Sequence, residues 1–340
     1  MSISAKMAVA VLRAFKKIDP RKGPDPETEI PKARAYNRKH AFRGTERLGR
    51  DIRVIRVGAY PCLFIEPKTR TRGASAGPGG KIGEQRNVIL FLHGGGDRDA
   101  WRPEVGIART YAKRAGQTVI YPLYPAFTDV GVSQTADELY EVYRALAQRY
   151  GARQISVVGD SYGGFLAVQL VSWINRRAEG TGMSRILILN SPYAFPKTAE
   201  ERALAEDYET TDPMVPVGAT RYMLQGVWDT DPQTPAYAIY PADMDLRDAP
   251  ETVIYYTEET CYAAAGAIRA AYERGGCAGR LRMHMEPGMM HCYACAPVFP
   301  ESRRDFGEQI RLLREDQTDE CARNDRGMEE PAGNDRPRGA

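Results

Sequence analysis

Apolar residues fall in short, nearly unbroken runs at regular intervals through the middle of the chain. Val88-Ile89-Leu90-Phe91-Leu92, Ile155-Ser156-Val157-Val158, Ile186-Leu187-Ile188-Leu189 and Thr252-Val253-Ile254-Tyr255-Tyr256 read as strands covered on both faces. Thr118-Val119-Ile120-Tyr121 and residues 280–285 extend the series. Helical patterns stand between them at Trp101 to Ala115, 261–274 and about 301–314. Another helix carries Leu139, Val142, Tyr143 and Leu146 as one apolar stripe, and Thr135 with Glu138 offers it a capping box. Ile52 to Val57 and Tyr60 to Ile65 add a hairpin turning near Gly58. Strands alternating with helices predict an α/β fold: a mostly parallel sheet of about eight strands with helices on both faces.

Two stretches break the alternation. Residues 1–48 read as one or two helices with a Pro/Gly break from Pro20 to Pro26, and residues 195–248 hold a helix near Glu200 to Asp207 followed by Tyr222, Trp228, Tyr237, Tyr240 and several prolines. Both are expected to form a helical lid over a catalytic domain of residues 49–314, the second as an insertion at about 195–248. Lys68 to Arg86 is expected to be an exposed, mobile loop, and residues 315–340 a disordered tail. Ile3, Met7, Val11 and Phe15 recur every fourth residue with Lys6, Arg13, Lys16 and Lys17 around them, which makes an amphipathic helix. A membrane-surface role is open to it, but a helix covering its own active site is the favoured expectation.

Composition narrows the function classes. At 340 residues the chain fits one catalytic domain with additions. A formal net charge of +3, with basic residues spread along the chain, gives nucleic-acid binding little support. No run reaches the length of a transmembrane span or a secretory leader. Cys62, Cys261, Cys277, Cys292, Cys295 and Cys321 form no disulfide framework, and four histidines leave few ligands for a zinc site at Cys292 and Cys295. Reduced thiols and a cytoplasmic location are expected, with peripheral membrane contact and a homodimer left open.

The chemistry concentrates after the strands. Gly159-Asp160-Ser161-Tyr162-Gly163-Gly164 follows one strand and precedes the helical run from Phe165 to Leu170. A strand turning at once into a helix strains its first turn residue, and flanking glycines remove the side chains that would collide there. Ser161 is thereby exposed beside a helix N-terminus, as a nucleophile must be; the alternative is a plain tight turn. The base lies downstream. His284 falls inside a strand, whereas His291 follows the turn Glu286-Pro287-Gly288-Met289-Met290 and emerges at the sheet edge level with Ser161. Either Glu258 or Glu259 emerges at that edge as the orienting acid, the other being a solvated charge. His93-Gly94-Gly95-Gly96 lets backbone N–H groups approach a developing oxyanion, with the N–H of Tyr162 completing the hole. The glycines lack the G-x-G-x-x-G spacing of a phosphate loop.

Together, His93-Gly94-Gly95-Gly96, Gly159-Asp160-Ser161-Tyr162-Gly163-Gly164 and Pro287-Gly288-Met289-Met290-His291 resemble the α/β-hydrolase superfamily over roughly residues 50 to 314. The likeness is to its hormone-sensitive-lipase-like branch, which includes acetyl esterases and steryl acetyl hydrolases. The resemblance implies an oxyanion hole at Gly95, Gly96 and Tyr162. It also implies an acid nine residues after Pro250, which is Glu259, where an aspartate is usual. Pro122-Leu123-Tyr124-Pro125 replaces the family's Arg-Leu-Ala-Pro run, and Tyr162 its commoner alanine, whose ring is expected to crowd the site or supply a hydroxyl. The implied activity is hydrolysis of small to medium apolar esters through an acyl-enzyme on Ser161, Glu259 and His291, without metal or cofactor. An amidase or arylformamidase, and a silent ligand-binding protein on the same fold, are the rivals.

Overall fold

Alternate residues of a buried strand point to opposite faces, and here both faces are fed. Val88, Leu90 and Leu92 join one apolar cluster while Ile89 and Phe91 join another. The computed structural model describes residues 1–15, 25–44, 46–67, 87–98, 101–258 and 261–315. In chain order its elements are α1 (Ile3–Phe15), α2 (Pro26–His40), β1 (Ile52–Val57), β2 (Tyr60–Ile65), β3 (Val88–Leu92) and α3 (Trp101–Ala115). There follow β4 (Thr118–Pro122), α4 (Val132–Tyr150), β5 (Ile155–Asp160), α5 (Tyr162–Arg177), β6 (Ile186–Asn190) and α6 (Ala199–Thr211). The chain continues through α7 (Ala219–Thr230), α8 (Ala236–Ile239), β7 (Glu251–Tyr256), α9 (Cys261–Arg274), β8 (Leu281–Met285) and α10 (Pro300–Arg314).

The eight strands form one sheet in the order β1-β2-β4-β3-β5-β6-β7-β8. The hairpin β1–β2 is antiparallel and joins β4 antiparallel, while every other pairing is parallel. This is the fold class the apolar runs predicted. The central strands β3 to β6 are buried throughout, and β8 at the edge is only partly covered. All parallel strands end on one edge, so the turns after β3, β5 and β8 gather there.

Four local expectations need correction. The Thr135 capping box does not form: α4 begins a turn earlier, and the Thr135 N–H donates to the Gly131 carbonyl at 3.0 Å inside the helix. Val132 is 1% exposed, and burying it extends the apolar stripe backwards past the polar signal. The stretch 195–248 is more regular than its prolines suggest, holding α6, α7 and α8. A true capping box, Thr198 with Glu201, opens α6. In α7 Gly226 hides the helical pattern, yet it is required because an added Cβ would stand 2.6 Å from the Phe127 ring.

The third correction concerns α1, which packs by its small residues. Ala5 and Val9 are buried, and the Ser2 hydroxyl donates to Glu301 at 2.9 Å. Ile3, Met7 and Val11 face outward, 79%, 66% and 52% exposed, because small residues allow the closer helix approach. The fourth concerns Tyr162, whose ring is 1% exposed and packs against Phe127 and Phe165 beneath Gly96. It therefore neither crowds the open side of the site nor offers it a hydroxyl. Lys68 to Arg86, Glu259, Cys321 and the tail beyond Glu315 lie outside the described residues.

Helices α2 and α7 pack together over the turns that follow β3 and β4. Arg34 of α2 donates to the Thr128 carbonyl at 2.6 Å and to Thr230 of α7 at 3.2 Å, and Asn37 donates to the Asp97 carbonyl at 3.1 Å. Tyr222 of α7 donates to the Asp97 carboxylate at 3.2 Å.

Candidate active site

Ser161 stands between β5 and α5 with φ 53 and ψ −116, a region that costs a non-glycine residue about 1–3 kcal/mol. That strain is held because α5 is buried from Tyr162 to Ile174. Each fully buried Phe, Leu, Val or Ile of the helix contributes about 1.5–3 kcal/mol, so the packing outweighs the turn. The flanking glycines are sterically required: a Cβ on Gly159 would lie 2.5 Å from the Gly163 carbonyl oxygen, and one on Gly163 would lie 2.0 Å from that of Leu92. The Ser161 carbonyl accepts from Gly164, Phe165 and Tyr193, which locks the turn.

His291 approaches from the far side of the sheet edge. The ladder of β8 continues through the Glu286 N–H to Tyr256, and Thr257 donates to the Met289 carbonyl at 3.3 Å, which fixes the turn ahead of the histidine. His291 Nε2 lies 2.9 Å from Ser161 Oγ, and Nδ1 lies 3.5 Å from Cys261 Sγ. His284 is placed elsewhere, on β8 against α10, with Nε2 3.1 Å from Arg304 and 3.4 Å from Asp305. Glu258 is exposed, and its charge is felt by the Tyr208 phenol.

The glycine turn after β3 faces the same serine. Gly95 has φ 70, a left-handed conformation that favours glycine, and Gly96 lies too close to the Tyr162 ring for any Cβ. Among the described residues the N–H groups of Gly95, Gly96 and Tyr162 donate to no backbone carbonyl. His93 is a buried prop: its ring stacks on Tyr124 at 3.9 Å, Tyr124 donates to its carbonyl, and burial holds its imidazole down to about 4. Tyr124 belongs to the run Pro122-Leu123-Tyr124-Pro125.

Behind the serine lies a buried polar layer that the motifs did not reveal. Asp160 accepts from Asn190 at 2.8 Å, and Gln309 donates to Asn190 at 2.9 Å, joining β5 and β6 to α10. Glu104 of α3 accepts the Gly94 N–H. One oxygen of Glu104 and one of Asp160 are buried without a hydrogen-bond partner among the described residues. Burial, with the Asp160 charge added, pushes Glu104 up to about 9; burial, with Cys292 added, pushes Asp160 up to about 7. The only hint in the sequence was Glu104 one turn into a helix.

Both folded-state values exceed the unfolded ones. The stabilisation from these carboxyls is complete below the unfolded pKa and is lost as pH rises through about 7 and then about 9. Cys292, held down to about 5, contributes with the opposite sign over this range, so the carboxyls are read from the difference in unfolding midpoint between parent and variant. Glu104→Gln, which cannot ionise and still accepts the Gly94 N–H, should flatten the alkaline part of the fall. An unchanged slope would remove Glu104 from this account.

With a hydroxyl on an imidazole and unused N–H donors beside them, the arrangement can perform nucleophilic acyl transfer. A family profile described as the alpha/beta hydrolase fold matches residues 89–295. The chain belongs to the α/β-hydrolase superfamily, and it is similar in fold to esterases of the hormone-sensitive lipase family. Esterase LipU of Mycobacterium tuberculosis (strain ATCC 25618 / H37Rv) is 25% identical over 240 residues, covering 66% of this chain and 78% of that protein. An esterase from the bacterial hormone-sensitive lipase family superposes with TM-score 0.68 at 23% identity, over 92% of this chain and 98% of that one. A mutant of the esterase E40 superposes with TM-score 0.68 at 21% identity, over 92% and 99%.

Proposed function

We propose that the protein is a serine carboxylic-ester hydrolase acting through an acyl-enzyme on small to medium apolar esters. The observation that carries this reading is the 2.9 Å contact between Ser161 Oγ on its strained turn and His291 Nε2. The relatives' esterase names point the same way. Ser161 attacks the ester carbonyl as His291 takes its proton. Gly95, Gly96 and Tyr162 donate backbone N–H groups to the oxyanion, a contribution of roughly 2.7–4 kcal/mol per donor in comparable sites. His291 then protonates the leaving alcohol and activates the water that releases the acid.

Glu259 holds the imidazole in this scheme, and its support is the sequence resemblance alone. Glu259→Gln should lower kcat by roughly 10²–10⁴, the upper end being the known penalty for amidating a triad carboxylate. Glu258→Gln should cost little, because Glu258 is exposed. Should Glu258→Gln be the crippled variant, the two roles exchange.

A cavity of about 420 Å³ lies against His93 and Tyr124, lined also by Phe42, Arg43, Pro61, Leu123 and Pro125, and it does not include Ser161, His291, Gly95, Gly96 or Tyr162. A larger cleft of about 960 Å³ around Trp173 and Arg176 contains none of the site residues. An ester panel from acetate to decanoate, with matched anilides and labelling by a fluorophosphonate, tests the reading. Hydrolysis of esters with labelling at Ser161 supports it. Preferential anilide cleavage would make the protein an amidase, and absence of both labelling and turnover a silent binder.

A further inference from the structure

Cys292-Tyr293-Ala294-Cys295 begins one residue after His291, and the ester chemistry does not use it. Tyr293–Cys295 form a 3-10 turn flanked by Cys292, closed by the Cys295 N–H donating to the Cys292 carbonyl at 3.1 Å. The closed turn brings the two residues together, and each thiol shifts the ionisation of the other. Both are free thiols, Cys295 buried and Cys292 partly exposed. Cys62 and Cys277 differ, their sulfurs each bonding the backbone carbonyl two residues before, at 3.8 and 3.6 Å.

The turn is wired to the site. The Cys292 N–H donates to Ser191 Oγ at 3.0 Å, its sulfur lies 3.6 Å from the Asn190 carbonyl, and its backbone sits at φ 56. The two thiols are also unequal. The hydrogen bond from Cys295, opposed by burial and helped by His291, holds Cys292 down to about 5, whereas burial pushes Cys295 well above the usual thiol range. Such an inequality is what a dithiol needs for one sulfur to attack and the other to resolve.

We propose that Cys292 and Cys295 are a redox-active dithiol, oxidised by low-molecular-weight disulfides such as glutathione disulfide, whose closure switches off the adjoining Ser161–His291 pair. The Cys292 thiolate attacks one sulfur of the small disulfide, forming a mixed disulfide and releasing one thiolate. Cys295 then attacks Cys292 Sγ, and its proton leaves with the second small thiol. The protein loses two electrons, and the small disulfide gains them. Closing the bond brings the sulfurs to about 2.05 Å, which turns Cys292 Sγ off the Asn190 carbonyl. Cys292 is bonded directly to His291, and a displacement of about 1 Å at a reacting group costs about 10²-fold in rate.

The activity half of this proposal rests on the esterase reading; the disulfide half does not. Reduced, desalted protein is incubated with graded ratios of oxidised to reduced glutathione, then assayed on an ester and mapped by peptide mass spectrometry after thiol blocking. The expected result is a Cys292–Cys295 peptide two hydrogens lighter and a kcat loss of about 10²-fold on the same time course. Dithiothreitol should reverse both. Cys295→Ser should stop at glutathione on Cys292, and Cys292→Ser should form no bond at Cys295. Absence of that disulfide at every ratio overturns the proposal, as does its formation with kcat unchanged. Inactivation that persists in Cys292→Ser and follows Cys261 overturns it too. If the reduced protein hydrolyses no ester, the esterase reading fails, and the peptide map still decides the dithiol.

Discussion

Ser161→Ala is expected to lower ester turnover by at least about 10³-fold, because triad members act as a unit and the loss of one forfeits nearly the whole effect. The fold should survive. Ser161 Oγ is within hydrogen-bond distance of His291 alone among the described residues, and alanine meets the same backbone strain as serine at φ 53. Turnover and thermal unfolding of the purified variant decide the matter. Residual turnover within tenfold of the parent, in protein cleared of contaminating esterase, would end the nucleophile assignment.

His291→Ala should match that loss, while His284→Ala should keep most of kcat. The two histidines are seven positions apart yet serve different neighbours: His291 reaches Ser161, and His284 sits half-exposed against Arg304 and Asp305. Losing His284 should cost stability only on the scale of a hydrogen bond at the surface, about 0.5–1.5 kcal/mol. Steady-state kinetics on both variants, with unfolding curves alongside, separate the roles. An inactive His284→Ala with an active His291→Ala would place the base elsewhere.

The sheet was legible in the sequence because strands covered on both faces are nearly continuous apolar runs, and β3, β5 and β6 write that plainly. Ser161 and His291 are 130 residues apart, but both follow strands that end on one edge, so their meeting could be read from strand direction. Periodicity was silent where a helix is apolar on two faces. In α1 it marks Ile3, Met7 and Val11, and only the partner surface selects Ala5 and Val9. The start of α4 was lost to burial of Val132, and α7 to a glycine present for Phe127. Glu104 and Asn190 were missed for a related reason: polar side chains are sustained inside by partners from β5, α3 and α10, and such pairings leave no local trace.

The bridge from Arg34 of α2 to Thr230 of α7 joins positions 196 apart, and it bears on the order in which the molecule assembles. Most pairings in the sheet unite strands that are close in sequence, whereas this bridge must close a long loop before it is rewarded. During synthesis α2 leaves the ribosome first and waits while every strand from β1 to β6 is made. The elbow and the glycine turn are therefore synthesised before α7 exists to close this bridge.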